Sequence, residues 1–173
     1  NNTAMRLVGN RDVVADTVSV VGNWSKTPNA SVTPTPLTGV APITDPLESL
    51  QPPSQPPGSC TTLHLTGNDD KTINPGYYCS IKVSGNGDLI MNSGIYYIES
   101  GGFSISGNGD VIANNVMIYI KGGAFDLTGN GEFRISAPTS GTSTGLMLFM
   151  DRNNNSTVKI TGNGNSVSTG TFY

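Results

Sequence analysis

The chain has 173 residues, enough for one domain with its own core and rarely for two. Charged residues are only 12% of it, 9 basic against 12 acidic for a net charge of −3, so the clustered Lys and Arg that a nucleic-acid backbone demands are missing. No run approaches the roughly 20 apolar residues of a membrane-spanning helix, and no signal-peptide pattern is present.

Glycine (22 residues) and proline (11) are abundant, a composition shared with disordered chains, but 35% of residues are hydrophobic and recur in short β-branched runs. The first residue is Asn1 rather than Met, which points to a processed product or to part of a longer protein. From the N-terminus, Gly9-Asn10-Arg11-Asp12-Val13-Val14-Ala15 is the first copy of a motif that returns along the chain. Trp24 to Ser59 breaks the pattern. It holds nine of the eleven prolines, which cannot donate to a central ladder. It is read as an excursion over residues 24–59 between the first and second coils, with Trp24, Leu37, Ile43, Leu47 and Leu50 available for burial and at most a turn or two of helix over Asp45 to Leu50.

The motif resumes at Thr66-Gly67-Asn68. It recurs as Ser84-Gly85-Asn86-Gly87-Asp88, Ser106-Gly107-Asn108-Gly109-Asp110 and Thr128-Gly129-Asn130-Gly131-Glu132, successive copies 22 residues apart, and as Thr161-Gly162-Asn163-Gly164-Asn165 after a further 33. Flanking apolar positions repeat with it: Ile81 and Val83, Phe103 and Ile105, Phe125 and Leu127, Val158 and Ile160. Asn74-Pro75-Gly76-Tyr77-Tyr78-Cys79 is echoed by Asn92-Ser93-Gly94-Ile95-Tyr96-Tyr97 and by Ser168-Thr169-Gly170-Thr171-Phe172-Tyr173. Each unit thus holds three short strands parted by Gly/Asn turns, with Ala137 to Thr144 and Asp151 to Ser156 as loops. Three short strands cannot bury their own apolar face, so the units must stack. The prediction is an all-β chain with under about a tenth helix, a single domain over 1–173 forming a right-handed parallel β-helix of about six coils of roughly 22 residues. An antiparallel sandwich also has many short strands, but it does not require a constant period.

Asn86, Asn108, Asn130 and Asn163 occupy equivalent turns, where Gly and Asn supply the φ > 0 of a tight corner and stacked Asn side chains can form a hydrogen-bonded ladder. Asp12, Asp88, Asp110 and Glu132 follow the turns. The last three stack into an acidic column whose carboxylates suit calcium, or else each caps backbone N–H groups of its own turn, and Asn165 replaces the acid in the fourth main copy. The Gly-Asn-Gly-Asp string resembles the nonapeptides of calcium-binding repeat toxins, with another spacing and a longer period. No metal ligand set and no cofactor is assigned; Asp88, Asp110 and Glu132 are the weak candidates. Cys60 and Cys79 lack zinc spacing, and either form a disulfide that pins the end of the excursion or remain a buried thiol pair. His64, between Leu63 and Leu65, faces solvent. Tyr77, Tyr78, Tyr96, Tyr97 and Tyr119 offer a stacking strip for surface carbohydrate if they face out, but adjacent tyrosines alternate and at least half belong to the core. No paired carboxylates or Ser-His-Asp set stands out, so no catalytic residue is assigned and the chain reads as non-enzymatic, the alternative being a carbohydrate-active β-helix enzyme. Asn23, Asn29 and Asn154 begin Asn-x-Ser triplets.

Asp45-Pro46-Leu47, the Pro-Pro run, Cys60, Asn74-Pro75-Gly76-Tyr77-Tyr78-Cys79, and Ala137-Pro138-Thr139-Ser140-Gly141 ending in Asp151-Arg152 together resemble the C-terminal region of TadG-like proteins of bacterial tight-adherence (Flp) pilus assembly. The resemblance runs from about Val13 to Tyr173. It implies a larger parent with an N-terminal membrane anchor, export, an extracellular or cell-surface place in surface attachment, and no catalytic residues. Export favours the Cys60–Cys79 disulfide. The terminal coils present unpaired strand edges, so the predicted partner is another copy stacked end to end or the rest of the parent.

Overall fold

The computed structural model describes residues 3–161 and 166–173; Gly162, Asn163, Gly164 and Asn165 lie outside them, and with them the fourth main Gly-Asn-Gly corner. The described residues form strands and no helix, with every strand pairing parallel, and the alternating apolar runs account for both. Parallel ladders between successive repeats are the β-solenoid that the 22-residue period requires. The chain divides into two compact units, Asn1–Leu50 and Gln51–Tyr173.

In the first unit, β1 (Thr3–Leu7), β2 (Asp12–Val14) and β3 (Ser19–Val20) pair with β4 (Asn23–Lys26), β5 (Ser31–Thr33) and β6 (Leu37–Thr38) respectively, giving two stacked coils. Residues 24–38, read from sequence as the start of an excursion, therefore form most of a coil, and the strand-free stretch is 39–60. The prolines mislead here because Pro28, Pro34 and Pro36 stand at the corners between β4, β5 and β6, where no ladder N–H is required. The coils in the two units exceed the six expected. Ala30 is buried, while Val13 and Val32, paired across the ladder, are only half-buried.

The second unit has five coils. They comprise β7 (Thr61–Leu65), β8 (Lys71–Ile73), β9 (Gly76–Val83), β10 (Leu89–Met91), β11 (Gly94–Ile98), β12 (Phe103–Ile105), β13 (Val111–Ala113), β14 (Val116–Ile120), β15 (Phe125–Leu127), β16 (Phe133–Ser136), β17 (Leu146–Met150), β18 (Val158–Ile160), β19 (Ser166–Thr169) and β20 (Thr171–Phe172). Three faces result. The first stacks β7, the end of β9, β12, β15 and β18. The second stacks β8, β10, β13, β16 and β19, and the third the start of β9, then β11, β14, β17 and β20. β9 is long because it turns the corner from the third face into the first.

The core is built from inward columns that the ladder register enforces. Ile81, Phe103 and Phe125 lie above one another, fully buried, with the two phenyl rings stacked at 5.5 Å. Burying each such side chain contributes about 1.5–3 kcal/mol. Tyr96, Ile118 and Leu148 do the same on the third face. The loops over residues 137–145 and 151–157 leave at corners, so the longer spacing before the last coil does not disturb the ladder.

The corner glycines have a different reason from the expected positive φ. None of Gly85, Gly87, Gly107, Gly109, Gly129 and Gly131 has positive φ, and neither do Asn86, Asn108 and Asn130; among the described residues Asn115 is the non-Gly residue in that region, at φ 56°. What excludes a side chain is the coil beneath. A Cβ on Gly107 would sit 1.6 Å from the Gly85 carbonyl oxygen, and one on Gly109 2.0 Å from that of Gly87. Glycine is required for close stacking of backbone on backbone.

Candidate functional site

The polar residues of the corners bond from coil to coil. Asn86 Nδ2 donates to Asn68 Oδ1 at 3.0 Å, Asn108 Nδ2 to Asn86 Oδ1 at 2.8 Å, and Asn130 Nδ2 to Asn108 Oδ1 at 3.0 Å. Asn163, placed in this ladder from sequence, lies outside the described residues. The acids form a second ladder. The Asp88 N–H donates to Asp70 Oδ1 at 2.9 Å, the Asp110 N–H to Asp88 Oδ1 at 2.8 Å, and the Glu132 N–H to Asp110 Oδ1 at 2.7 Å. Each of Asp70, Asp88 and Asp110 thus caps the turn of the next coil, not its own. The Glu132 carboxylate turns aside to Arg134 at 2.7 Å. Among the described residues no group of three or more His, Cys, Asp or Glu side chains is arranged to hold a metal ion. Asp12 stands in the first unit, where its carboxylate accepts from the Ser31 hydroxyl.

Cys60 and Cys79 form a disulfide with Cα atoms 4.9 Å apart. His64 is exposed while Leu63 and Leu65 pack toward the core, as alternation in β7 demands. Asn154 Nδ2 donates to the carbonyls of Gly123 at 2.9 Å and Ile120 at 3.3 Å, and its Oδ1 accepts from the Ser156 N–H, which fastens the loop after β17.

The tyrosines depart most from expectation. Tyr96 faces inward and Tyr97 outward, yet both are buried, at 0% and 5% exposure. The outer side of the third face carries a column, Tyr77, Tyr97, Tyr119, Phe149 and Tyr173, with ring centroids 5.5, 4.8, 5.2 and 5.2 Å apart in succession. The sequence echo of 74–79 in 92–97 places Tyr77 beside Ile95, two residues off, whereas the ladder pairs Tyr77 with Tyr97. Asn92 Nδ2 still bonds Asn74 Oδ1 at 2.8 Å, so the slip falls between Asn92 and Tyr96, where Gly94 passes Pro75 closely.

Two residues beyond each ring stands a rim: Cys79, Glu99, Lys121 and Asp151, one per coil. Lys121 Nζ lies 2.6 Å from Glu99 Oε1, the Tyr77 hydroxyl donates to Glu99 Oε2 at 2.8 Å, and the Tyr119 hydroxyl to Asp151 Oδ2 at 2.5 Å. The hydrogen bond from Lys121, then that from Tyr77, holds the Glu99 carboxyl below its ordinary pKa. The hydrogen bond from Tyr119 does most of the same for Asp151. Burial, and then the bond to Asp151, pushes the Tyr119 phenol up. Arg152 closes the column, its guanidinium carbon 5.7 Å from the Phe149 centroid and 5.1 Å from that of Tyr173.

The last coil is the other distinctive surface. Val158 and Ile160 sit in the inward columns of Phe125 and Leu127, and Phe172 in that of Leu148, yet they are 49%, 49% and 41% exposed. Their inward direction is legible from the repeat; their exposure is not, because it depends on which coil lies beyond. No helix among the described residues is long and apolar enough to cross a membrane. Comparison with protein-family models, with curated proteins and with solved structures gives no match.

Proposed function

We propose that the chain is a non-catalytic structural and adhesive solenoid module of an exported bacterial surface assembly, extracellular or pilus-associated, extended end to end by another copy or by the rest of a larger parent. The observation that carries this reading is the last coil of the second unit, which presents Val158, Ile160 and Phe172 in core register yet half exposed. A further coil laid on that edge would continue both the apolar columns and the main-chain ladder, the mode of strand addition. Because such a contact is head-to-tail and does not close, it yields filaments. The corner ladders support a structural role, since their carboxylates and amides are engaged in joining coil to coil. A disulfide suits an oxidising compartment, and the resemblance to TadG-like proteins in Asn74–Cys79 and Ala137–Gly141 agrees with export and surface attachment. The test is light scattering and electron microscopy across a concentration series, with Val158→Lys/Ile160→Lys as the comparison. The expected result is concentration-dependent particles that the double substitution abolishes. A strictly monomeric species at high concentration, with exchange-protected amides at Val158 and Ile160, would overturn self-stacking.

A further inference from the structure

The outer side of a solenoid sheet ordinarily meets water, as the second face shows: Ile90 and Val167, on its outer side, are 38% and 58% exposed. The third face behaves otherwise. Tyr97, Met117, Tyr119 and Phe149 point away from the core and are 5%, 2%, 2% and 1% exposed, so chain must lie over them.

Residues 51–60, within the same unit, have neither strand nor helix. Their sequence, Gln51-Pro52-Pro53-Ser54-Gln55-Pro56-Pro57-Gly58-Ser59-Cys60, contains a Pro-x-x-Pro. Pro53 and Pro56 are half-buried and the residues between them exposed, a three-residue spacing. Three residues per turn is the period of polyproline II, which needs no internal hydrogen bonds. Two anchors fix where this strap runs. Gln55 Oε1 accepts from Lys121 Nζ at 3.5 Å, and Cys60 is bonded to Cys79. Cys79 and Lys121 belong to the same rim, two coils apart. The strap therefore crosses the strands along the stacking direction. Two coil spacings are about 9.6 Å, and five polyproline II residues span about 15 Å, so its reach suffices. Four of its residues have no N–H and cannot join a β-ladder, so side chains must hold it, beside a column whose hydroxyls at Tyr77 and Tyr119 are directed to the rim carboxylates.

We infer that the outer side of the third face is a groove that recognises a proline-rich chain in polyproline II conformation, filled in this molecule by its own residues 51–59 and open to the same segment of a second copy once the Cys60–Cys79 latch is cut. Aromatic-lined grooves take Pro-x-x-Pro segments by this chemistry elsewhere. The latch opens by reduction with a dithiol: two electrons and two protons convert the disulfide to two thiols, and the dithiol becomes its own disulfide.

The probe is a labelled peptide of sequence 51–59, measured by fluorescence polarisation against three proteins: the disulfide-intact chain, Cys60→Ser/Cys79→Ser, and Pro53→Ala/Pro56→Ala with its disulfide kept. The two variants should bind the peptide saturably, and the intact chain at least about tenfold more weakly, because its tethered strap competes at high effective concentration. Concentration-dependent association of Cys60→Ser/Cys79→Ser should be dissolved by the peptide and be untouched by Val158→Lys/Ile160→Lys, which separates strap exchange from end-to-end stacking. If the cysteine variant fails to fold, the proline variant still reports, since its substitutions lie on a strand-free edge. Equal binding of a peptide in which both central prolines are alanine, or no binding by a folded variant, overturns the inference.

Discussion

The two units share a topology and differ in what it encloses. Both stack short parallel strands coil on coil. In the first unit only the small side chains of Ala30 and Pro36 are buried among the apolar ones of the described residues, and Val8, Val14, Val21 and Leu37 are more than half exposed. In the second, Phe103, Phe125, Tyr96 and Ile118 close into one continuous cluster. Parallel pairing alone does not make a core. The side-chain volume at inward positions decides how much water is removed, and hydrophobic stabilisation follows area.

That contrast can be broken most forcefully at Phe125, fully buried and in ring contact with Phe103, Phe133 and Phe172. Phe125→Ala should destabilise the second unit by about 3–5 kcal/mol in urea unfolding, against about 1 kcal/mol or less for Val32→Ala in the first unit. Native-state hydrogen exchange should agree, with β2 and β5 amides opening at far lower free energy than those of β14. A common opening energy would show the two to be one cooperative body. Next comes Gly107→Ala. With the new methyl driven into the Gly85 carbonyl, a loss of about 1–3 kcal/mol is expected. Gly9→Ala meets open space and only the strain of φ +90°, about 1 kcal/mol. Equal losses would mean that conformation, not stacking, selects glycine at both.

Asn108→Ala removes two ladder bonds and should cost about 1 kcal/mol, while Asn10→Ala at the first copy of the motif should stay within about 0.5 kcal/mol. The smallest effect is that of pH. Glu99 and Asp151 have depressed carboxyl pKa values in the folded chain. Their contribution is complete above the ordinary carboxylate range, about pH 4, and disappears as pH falls through the lowered folded values. Glu99→Gln/Asp151→Asn should flatten that acid limb; an unchanged thermal-unfolding profile between pH 5 and about 2.5 would remove the rim from the account.

Much of this was legible because a repeat reports its own register. Ile81 to Phe103 to Phe125, 22 residues apart, are stacked in space because they are equivalent in sequence. Where the repeat is irregular, legibility ends. Residues 24–38 form a coil with prolines at its corners, and composition alone does not distinguish a corner proline from a linker proline. Alternation correctly sends Tyr97 outward, but outward means exposed only if nothing returns to cover it, and the strap comes from residues 51–60, far from Tyr119 and Phe149 in sequence. The corner glycines are legible in the repeat but their physical reason is not, because a distance to the neighbouring coil cannot be read from one turn.

The acid ladder also bears on how such a chain can change length. Asp88 holds the turn of the coil after it, as Asp70 and Asp110 do for theirs, so each coil is finished by its neighbour and not by itself. Excising residues 88–109 would join Gly87 to Asp110 and recreate the same corner, with Asp70 now receiving the Asp110 amide and Ile81 now beneath Phe125. Changes of other length keep the register only where they fall in a loop that leaves at a corner, as residues 137–145 and 151–157 do, or in the 18-residue step from Asp70 to Asp88; inside a strand or a Gly-Asn-Gly corner they would put glycine over side chain. Growth and shrinkage by recombination are therefore counted in whole coils rather than in residues, as a ruler is lengthened one graduation at a time, with the spare length of any coil parked at its corners.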